Sequence, residues 1–104
     1  MIGSILGDIV GSVYEFHNIK TKQFPLLTSQ KGYTDDSILT LATADWLLHG
    51  GDCATYYFRY ATHYRCPLGG FGGRFREWLR HGQQTGKLVP YGSCGNGSAM
   101  RVGP

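Results

Sequence analysis

Two adjacent carboxylates stand at the head of the most apolar stretch of the sequence. Thr34, Asp35 and Asp36 precede a run that reads SILTLA, from Ser37 to Ala42. Carboxylate and hydroxyl oxygens are hard ligands that suit Mg²⁺, Mn²⁺ or Ca²⁺. Two carboxylates close to an apolar core also repel each other unless a cation or a proton compensates their charge. The alternative is an ordinary helix start, with Thr34 as N-cap and acidic residues in the first turn. The residues alone leave both interpretations open.

A second candidate site lies in the segment YGSCGNGSAMR, residues 91–101. Gly95, Asn96 and Gly97 adopt left-handed conformations easily. Successive backbone N–H groups in such a turn form a concave site for an anion, and the Ser93 hydroxyl adds a side-chain donor. The segment therefore predicts a phosphate or sugar site, with a plain tight turn as the alternative.

The segment from residue 2 to residue 15 has the periodicity of an amphipathic helix. Its apolar face consists of Ile2, Ile5, Leu6, Ile9, Val10 and Val13. A second face carries Ser4, Asp8, Ser12 and Glu15, and a third carries Gly3, Gly7 and Gly11. Interior glycines weaken a helix by ~1 kcal/mol each relative to alanine. Three of them in register predict that another backbone or a ligand approaches this face closely.

Three further helices are predicted, over residues 35–49, 53 to about 64 and about 74–81. The first of these is almost apolar all round, which is typical of a central, buried helix. Asp52 is the expected N-cap of the next helix. Gly82 is the expected residue just after the end of the last one.

Long loops connect these helices. Residues 16–33 have no period, and Pro25 and Gly32 interrupt them. A loop of this length in a small domain is often functional. The alternative is a flexible surface loop without a function. Residues 68–73 read LGGFGG, a glycine loop. Because no segment alternates like a strand, we expect a single all-α domain over residues 1–104, with about four helices and long glycine-rich loops.

Composition narrows the function classes. Hydrophobic residues make up 41% of the chain and charged residues 16%, which argues against disorder. The net charge of +3 permits an anionic ligand, and we expect neither nucleic acid nor a membrane as partner. The arginines of the last predicted helix, Arg74, Arg76 and Arg80, are expected to be solvated, with contact to a phosphate as the alternative. Three cysteines without a CxxC pair indicate a reduced, cytoplasmic protein with no disulfide frame and no zinc site.

Four segments of the chain, taken together, resemble one family. They are GDIVGSVYE (7–15), YTDDSILTLATA (33–44), LGGFGGRFREWL (68–79) and GSCGNGSAMRVGP (92–104). In order and spacing they are similar to the N-terminal half of the ADP-ribosylglycohydrolases, and the resemblance covers nearly the whole chain. It implies an all-α domain with a two-metal Mg²⁺ (or Mn²⁺) centre. The implied reaction hydrolyses the bond from ribose C1″ to a protein side chain or to another ADP-ribosyl unit.

The resemblance also implies roles for individual residues. The metal ligands would be Thr34, Asp35 and Asp36. The catalytic group would comprise Glu15, at the mouth of the metal centre, together with Asp35 and Asp36, whereas Asp8 would support structure. The loop that holds ADP-ribose would contain Ser93, Cys94, Gly95, Asn96 and Gly97.

One part of the family pattern is missing from the chain. The family carries a second carboxylate cluster, of the Asp-x-Asp-Thr/Ser kind, near its C-terminus, and after Asp52 this sequence has only Glu77 as an acidic residue. We therefore expect half of a metal cage, completed by another polypeptide or by self-association into a homo-oligomer. ADP-ribose or an ADP-ribosylated protein would be the ligand. The alternative is a non-catalytic module of the same descent that binds ADP-ribose or mediates oligomerisation.

Overall fold

The computed structural model describes residues 1–68 and 70–104, and this part of the chain contains helices but no strand. The helices are α1 (Ile2–Gly11), α2 (Asp35–His49), α3 (Cys53–His63), α4 (Gly73–Thr85) and α5 (Gly97–Met100), with a 3₁₀ turn at Ser12–Tyr14. The predicted all-α class is confirmed. The short α5 adds a helix that the sequence did not predict.

The centre of the fold is α2, which contacts α1, α3 and α5. The predicted bounds of 35–49 are confirmed. Ile38, Leu39 and Ala42 are buried in its first half. In its second half, however, Leu47 is 60% and Leu48 is 80% exposed. The helix is therefore central, but its neighbours in the described chain cover only its first half.

The first helix matches the predicted segment, with a tighter last turn. Beyond Gly11 the backbone passes into the 3₁₀ turn that ends at Tyr14. The apolar face is only partly covered, since Ile2 is 72% exposed. A Cβ placed on Gly3 or Gly7 would meet no atom within 4 Å, and the same holds for Gly11. Close approach of another part of the described chain to this face was therefore a wrong prediction.

The end of α4 lies further along the chain than the sequence predicted. The helix continues to Thr85, and Gly86, with φ of 71°, ends it in the left-handed conformation that glycine favours. Gly82 was the wrong choice of terminator, since it lies inside the helix and is buried. A Cβ there would lie 2.7 Å from the side chains of Phe58 and Leu88. Gly82 is therefore required by packing.

The third helix begins as predicted. The Asp52 carboxylate accepts a hydrogen bond from the Thr55 N–H at 3.0 Å, which is an N-cap interaction. The Asp45 carboxylate of α2 accepts hydrogen bonds from Arg59 and from the Tyr60 hydroxyl of α3, which joins the two helices at the surface. None of the helices in the described ranges is long and apolar enough to cross a membrane.

Candidate active-site cleft

Asp8 organises the N-terminus of α2. One of its carboxylate oxygens accepts the Thr34 hydroxyl proton at 2.6 Å. The other accepts the Thr34 N–H at 2.8 Å, the Ser37 N–H at 3.1 Å and the Ser37 hydroxyl proton at 2.6 Å. These contacts satisfy N–H groups that have no partner within the helix and place a negative charge at the positive end of its dipole. The structural role expected for Asp8 agrees with this geometry.

Thr34 is the N-cap of α2, as one of the two interpretations predicted. Its hydroxyl oxygen accepts the Asp36 N–H at 3.3 Å while the hydroxyl proton is donated to Asp8. Thr34 is only 3% exposed. Because the cap uses one acceptor site of the hydroxyl, one lone pair remains for any other partner.

The carboxylates that follow the cap have unfavourable surroundings for their charge. Burial raises the pKa of Asp36 to about 6, and the charges of Asp35, Asp8 and Glu15 add to the shift. Burial also raises the pKa of Asp35, against the effect of a backbone hydrogen bond and with a contribution from Asp8. The pKa of Glu15 is raised by burial and by the charges of Asp35 and Asp8. The pKa values of Glu15, Asp35 and Asp36 are thus all raised, by burial and by neighbouring negative charges.

All four motif segments contribute to one cleft of about 730 Å³. The carboxylate side consists of Glu15, Asp35 and Asp36. Residues 70–75 form part of the wall, and residues 93–98 form another part. The loop residues predicted to bind a ligand, Ser93, Cys94, Gly95, Asn96 and Gly97, all line it. Thr34 is not among the lining residues, because it is buried in the cap just behind Asp35.

The loop that lines the cleft does not have the predicted backbone. Among the described residues the glycines with positive φ are Gly50, Gly51 and Gly86, so neither Gly95 nor Gly97 is left-handed. Asn96 instead precedes α5, and its carbonyl accepts the Ala99 N–H at 2.9 Å. The expected left-handed turn was therefore wrong, whereas the phosphate or sugar site at this loop stays a prediction. The sequence did contain the signal for a helix start, because Asn is a common N-cap and the residues SAMR follow it closely.

Two arginines line the cleft, Arg74 and Arg101; the sequence offered Arg74 as a phosphate contact only as the alternative, and it gave no role to Arg101. Arg74 donates through Nη1 to the Gly92 carbonyl at 2.6 Å, which links the start of α4 to the ligand loop. The Arg101 guanidinium lies 4.5 Å from the centre of the Tyr57 ring. The interpretation of Arg74 as a solvated helix residue omitted its place at the cleft. Its position directly after the glycine loop was the available signal.

Cys66 lies in the field of the same carboxylates. Burial raises the pKa of its thiol to about 11, with additional effects from Asp35, Asp8 and Glu15. At neutral pH the thiol is protonated, and a protonated thiol is a weak nucleophile and a weak metal ligand. The Cys66 thiol is therefore neither an effective nucleophile nor an effective metal ligand at neutral pH.

The donor set of the cleft fits Mg²⁺ in kind but is small in number. Within residues 1–68 and 70–104, no three or more His, Cys, Asp and Glu side chains are arranged as a metal cluster. Mg²⁺, however, is often bound through one or two carboxylates and keeps several waters. A cation would also relieve the repulsion that raises the pKa of Asp36. Asp35 and Asp36 are the carboxylates of the cleft that would hold such an ion, and a pair of ions would require further ligands.

Comparison with known proteins agrees with these motifs. A family model described as ADP-ribosylglycohydrolase matches residues 1–104. No curated protein and no solved structure matches the chain.

Proposed function

The chain belongs to the ADP-ribosylglycohydrolase family, and from that premise we propose that its cleft binds an ADP-ribosyl group beside a Mg²⁺ (or Mn²⁺) ion. The family function is removal of ADP-ribose by hydrolysis. In this proposal the chain supplies one share of the hydrolase site, and a second polypeptide or a second copy of the chain supplies the remaining metal ligands. Proteins that carry ADP-ribose on a side chain are the proposed substrates.

One observation carries the proposal. The cleft is lined by residues from all four motif segments, although the lining residues lie up to 86 positions apart in the sequence, as Glu15 and Arg101 do. Its volume of about 730 Å³ lies within the range of sites that hold drug-sized or nucleotide-sized ligands. Acidic side chains on one side and Arg74 and Arg101 on another suit a ligand that has both a metal-binding sugar and a diphosphate.

The carboxylates are assigned separate roles. Asp35 and Asp36 would hold the metal ion, and Asp8 and Thr34 would fix the helix end that carries them. When bound, Mg²⁺ would orient ribose hydroxyls and stabilise developing negative charge. Glu15 would take a proton from the attacking water, because a carboxylate whose pKa is raised is a better base near neutral pH. The water oxygen would bond to C1″ while the bond from C1″ to the side chain breaks, and the departing group would take up the proton that the water lost.

The ligand loop is assigned the ADP-ribosyl contacts. Ser93 and Asn96 would donate hydrogen bonds, and Gly95 would let the ligand approach the backbone. Cys94 is exposed in the same loop, and Gly97 begins α5 beside it. Arg74 is held by the Gly92 carbonyl and would present its remaining N–H groups to the diphosphate.

Release of ADP-ribose from a modified peptide tests the hydrolase proposal. The assay uses the chain at high concentration with Mg²⁺, alone and after addition of a peptide or protein with an Asp-x-Asp-Thr segment from the same family. Turnover that needs both Asp35 and Asp36 supports the proposal. Turnover unchanged in the double variant Asp35→Asn, Asp36→Asn overturns it.

The small ligand set favours one alternative, a module that binds ADP-ribose without hydrolysing it. Such a module would keep its affinity for ADP-ribose when a chelator removes metal, and it would lose affinity in Asn96→Ala. The hydrolase proposal instead expects the affinity to fall when metal is removed, since Asp35 and Asp36 then repel the ligand.

Exposed apolar side chains support a protein partner. Leu47 and Leu48 at the end of α2 are 60% and 80% exposed, and Ile2 and Leu6 on α1 are 72% and 52% exposed. Clusters of exposed large apolar groups mark interaction surfaces. We expect the completing polypeptide, or a second copy, to cover them, and light scattering that finds a stable monomer would argue against a homo-oligomer.

A further inference from the structure

A lysine fastens the loop that precedes α2. Lys31 Nζ donates to the carbonyls of Val10, at 2.6 Å, and Pro25, at 2.8 Å. It also lies 4.7 Å from the centre of the Tyr14 ring and 5.6 Å from that of Phe24. The two rings meet edge to face with centroids 5.5 Å apart. These five residues are called the Lys31 clasp here.

The clasp joins the end of α1 to the segment that precedes α2, two residues further along α1 than the contacts of Asp8. Val10 belongs to the last turn of α1, where carbonyls have no helical partner, so the ammonium group satisfies one of them. Next to it, the Gly32 N–H donates to the Ser12 hydroxyl at 3.3 Å, and that hydroxyl donates to the Ile9 carbonyl at 2.9 Å. The end of α1 and the segment that leads into α2 are therefore joined by two adjacent contacts, one through Lys31 and one through Gly32.

Two residues of the clasp lie close in sequence to carboxylates of the cleft. Tyr14 is the residue before Glu15, and Lys31 lies four positions before Asp35. We infer that Lys31 is a positioning residue that fixes Glu15 relative to Asp35 and Asp36. Its importance for metal binding rests on the proposed function, whereas its effect on the order of Glu15 does not.

The chemistry of the clasp requires an ammonium-like group. A lysine has three N–H donors, and here two are used by carbonyls while the charge faces aromatic rings. Methionine has a similar length and apolar stem but no donor and no charge. Arginine keeps the charge, the donors and the ability to stack on rings. Lys31→Met should open the clasp, and Lys31→Arg should largely preserve it.

Two measurements on the full chain test this inference. The first is the backbone ¹⁵N order parameter of Glu15, and the second is the dissociation constant for Mn²⁺ alone. In Lys31→Met we expect a lower order parameter at Glu15, unchanged values in α2 and α3, and Mn²⁺ affinity weaker by about tenfold. The affinity falls because Glu15, whose charge acts on Asp36, would no longer be held beside the two proposed ligands. Lys31→Arg should restore both values, and Lys22→Met, an exposed lysine of the same loop, is the matched control.

The two measurements distinguish a failure of the inference about Lys31 from a failure of the proposed function. If the wild-type chain binds no Mn²⁺, the metal proposal fails while the order parameter still decides the role of Lys31. An unchanged order parameter at Glu15 in Lys31→Met overturns the inference. So does an Mn²⁺ affinity that stays the same although the loop is disordered, since Lys31 would then be only structural. If Lys31→Met does not fold, Phe24→Ala removes the ring that contacts Lys31 and Tyr14. The order parameter of Glu15 and the Mn²⁺ dissociation constant are then measured in that variant.

Discussion

Asp36 is the residue of the cleft whose surroundings most clearly disfavour its ionised form. Its carboxyl is half-buried, and its pKa of about 6 lies above the ordinary value of 3.8 because of burial and three neighbouring carboxylates. Between pH 3.8 and about pH 6, Asp36 of the folded chain therefore still holds a proton that the unfolded chain has already released. Folding stability conferred by the neutral carboxyl is present below about pH 4 and is lost as the pH rises to about 6.

Asp36→Asn should stabilise the metal-free chain at pH 8 by about 1 kcal/mol, after allowance for solvent screening of this half-exposed group. At pH 3 the variant should differ little from the wild type, because the carboxyl is then largely neutral in both the folded and the unfolded state. Urea unfolding at the two pH values in the presence of a chelator measures the difference. A variant that is less stable than the wild type at pH 8 would show that Asp36 has a compensating partner in the chain.

At the scale of elements, the contact between α1 and α2 depends on Asp8. Asp8→Ala leaves four donors of Thr34 and Ser37 without their acceptor, in a part-buried position. We expect a loss of about 2–3 kcal/mol in the free energy of unfolding, measured with urea. Asp52→Ala, which removes the exposed cap of α3, is the matched control and should cost less. Equal losses would mean that Asp8 acts only as an ordinary cap.

Gly82 tests the packing of α4. The Cβ of Gly82→Ala would lie 2.7 Å from Phe58 and Leu88, and the overpacking should outweigh the gain in helix propensity, for a net loss of about 1–2 kcal/mol. Gly7→Ala is the control, because its Cβ would meet no atom within 4 Å and should stabilise α1 by up to about 1 kcal/mol. Thermal unfolding that shifts in the same direction for both variants would contradict this account of Gly82.

The same elements show what the sequence could predict. Periodicity and cap residues predicted α2 with its correct bounds, because Thr34 and Gly50 are strong local signals. Gly82 was misjudged because a glycine can end a helix or admit a neighbouring side chain, and only the position of Phe58 distinguishes the two. The backbone at Gly95 and Gly97 was misjudged for a similar reason, since glycine permits both a left-handed turn and a helix start. Such choices depend on contacts far along the chain.

At the scale of the whole molecule, the central claim is that segments distant in sequence form one ADP-ribose cleft. The sequence predicted the residues of both its sides, but it offered Arg74 only as an alternative phosphate contact and did not predict Arg101 or the role of Lys31. These depend on which side chain the folded backbone brings near a given carbonyl or ring. The exposed apolar ends of α1 and α2 show equally that the described chain leaves part of its apolar surface uncovered.

Calorimetric titration of ADP-ribose into the chain, with Mg²⁺ and with a chelator, tests this claim most directly. We predict binding that is stronger with Mg²⁺, is about tenfold weaker in Asn96→Ala through loss of one hydrogen bond, and loses its Mg²⁺ dependence in Asp35→Asn with Asp36→Asn. Lys22→Met should bind as the wild type does. Absence of ADP-ribose binding, or binding that neither Asn96→Ala nor the aspartate variant changes, would contradict the account.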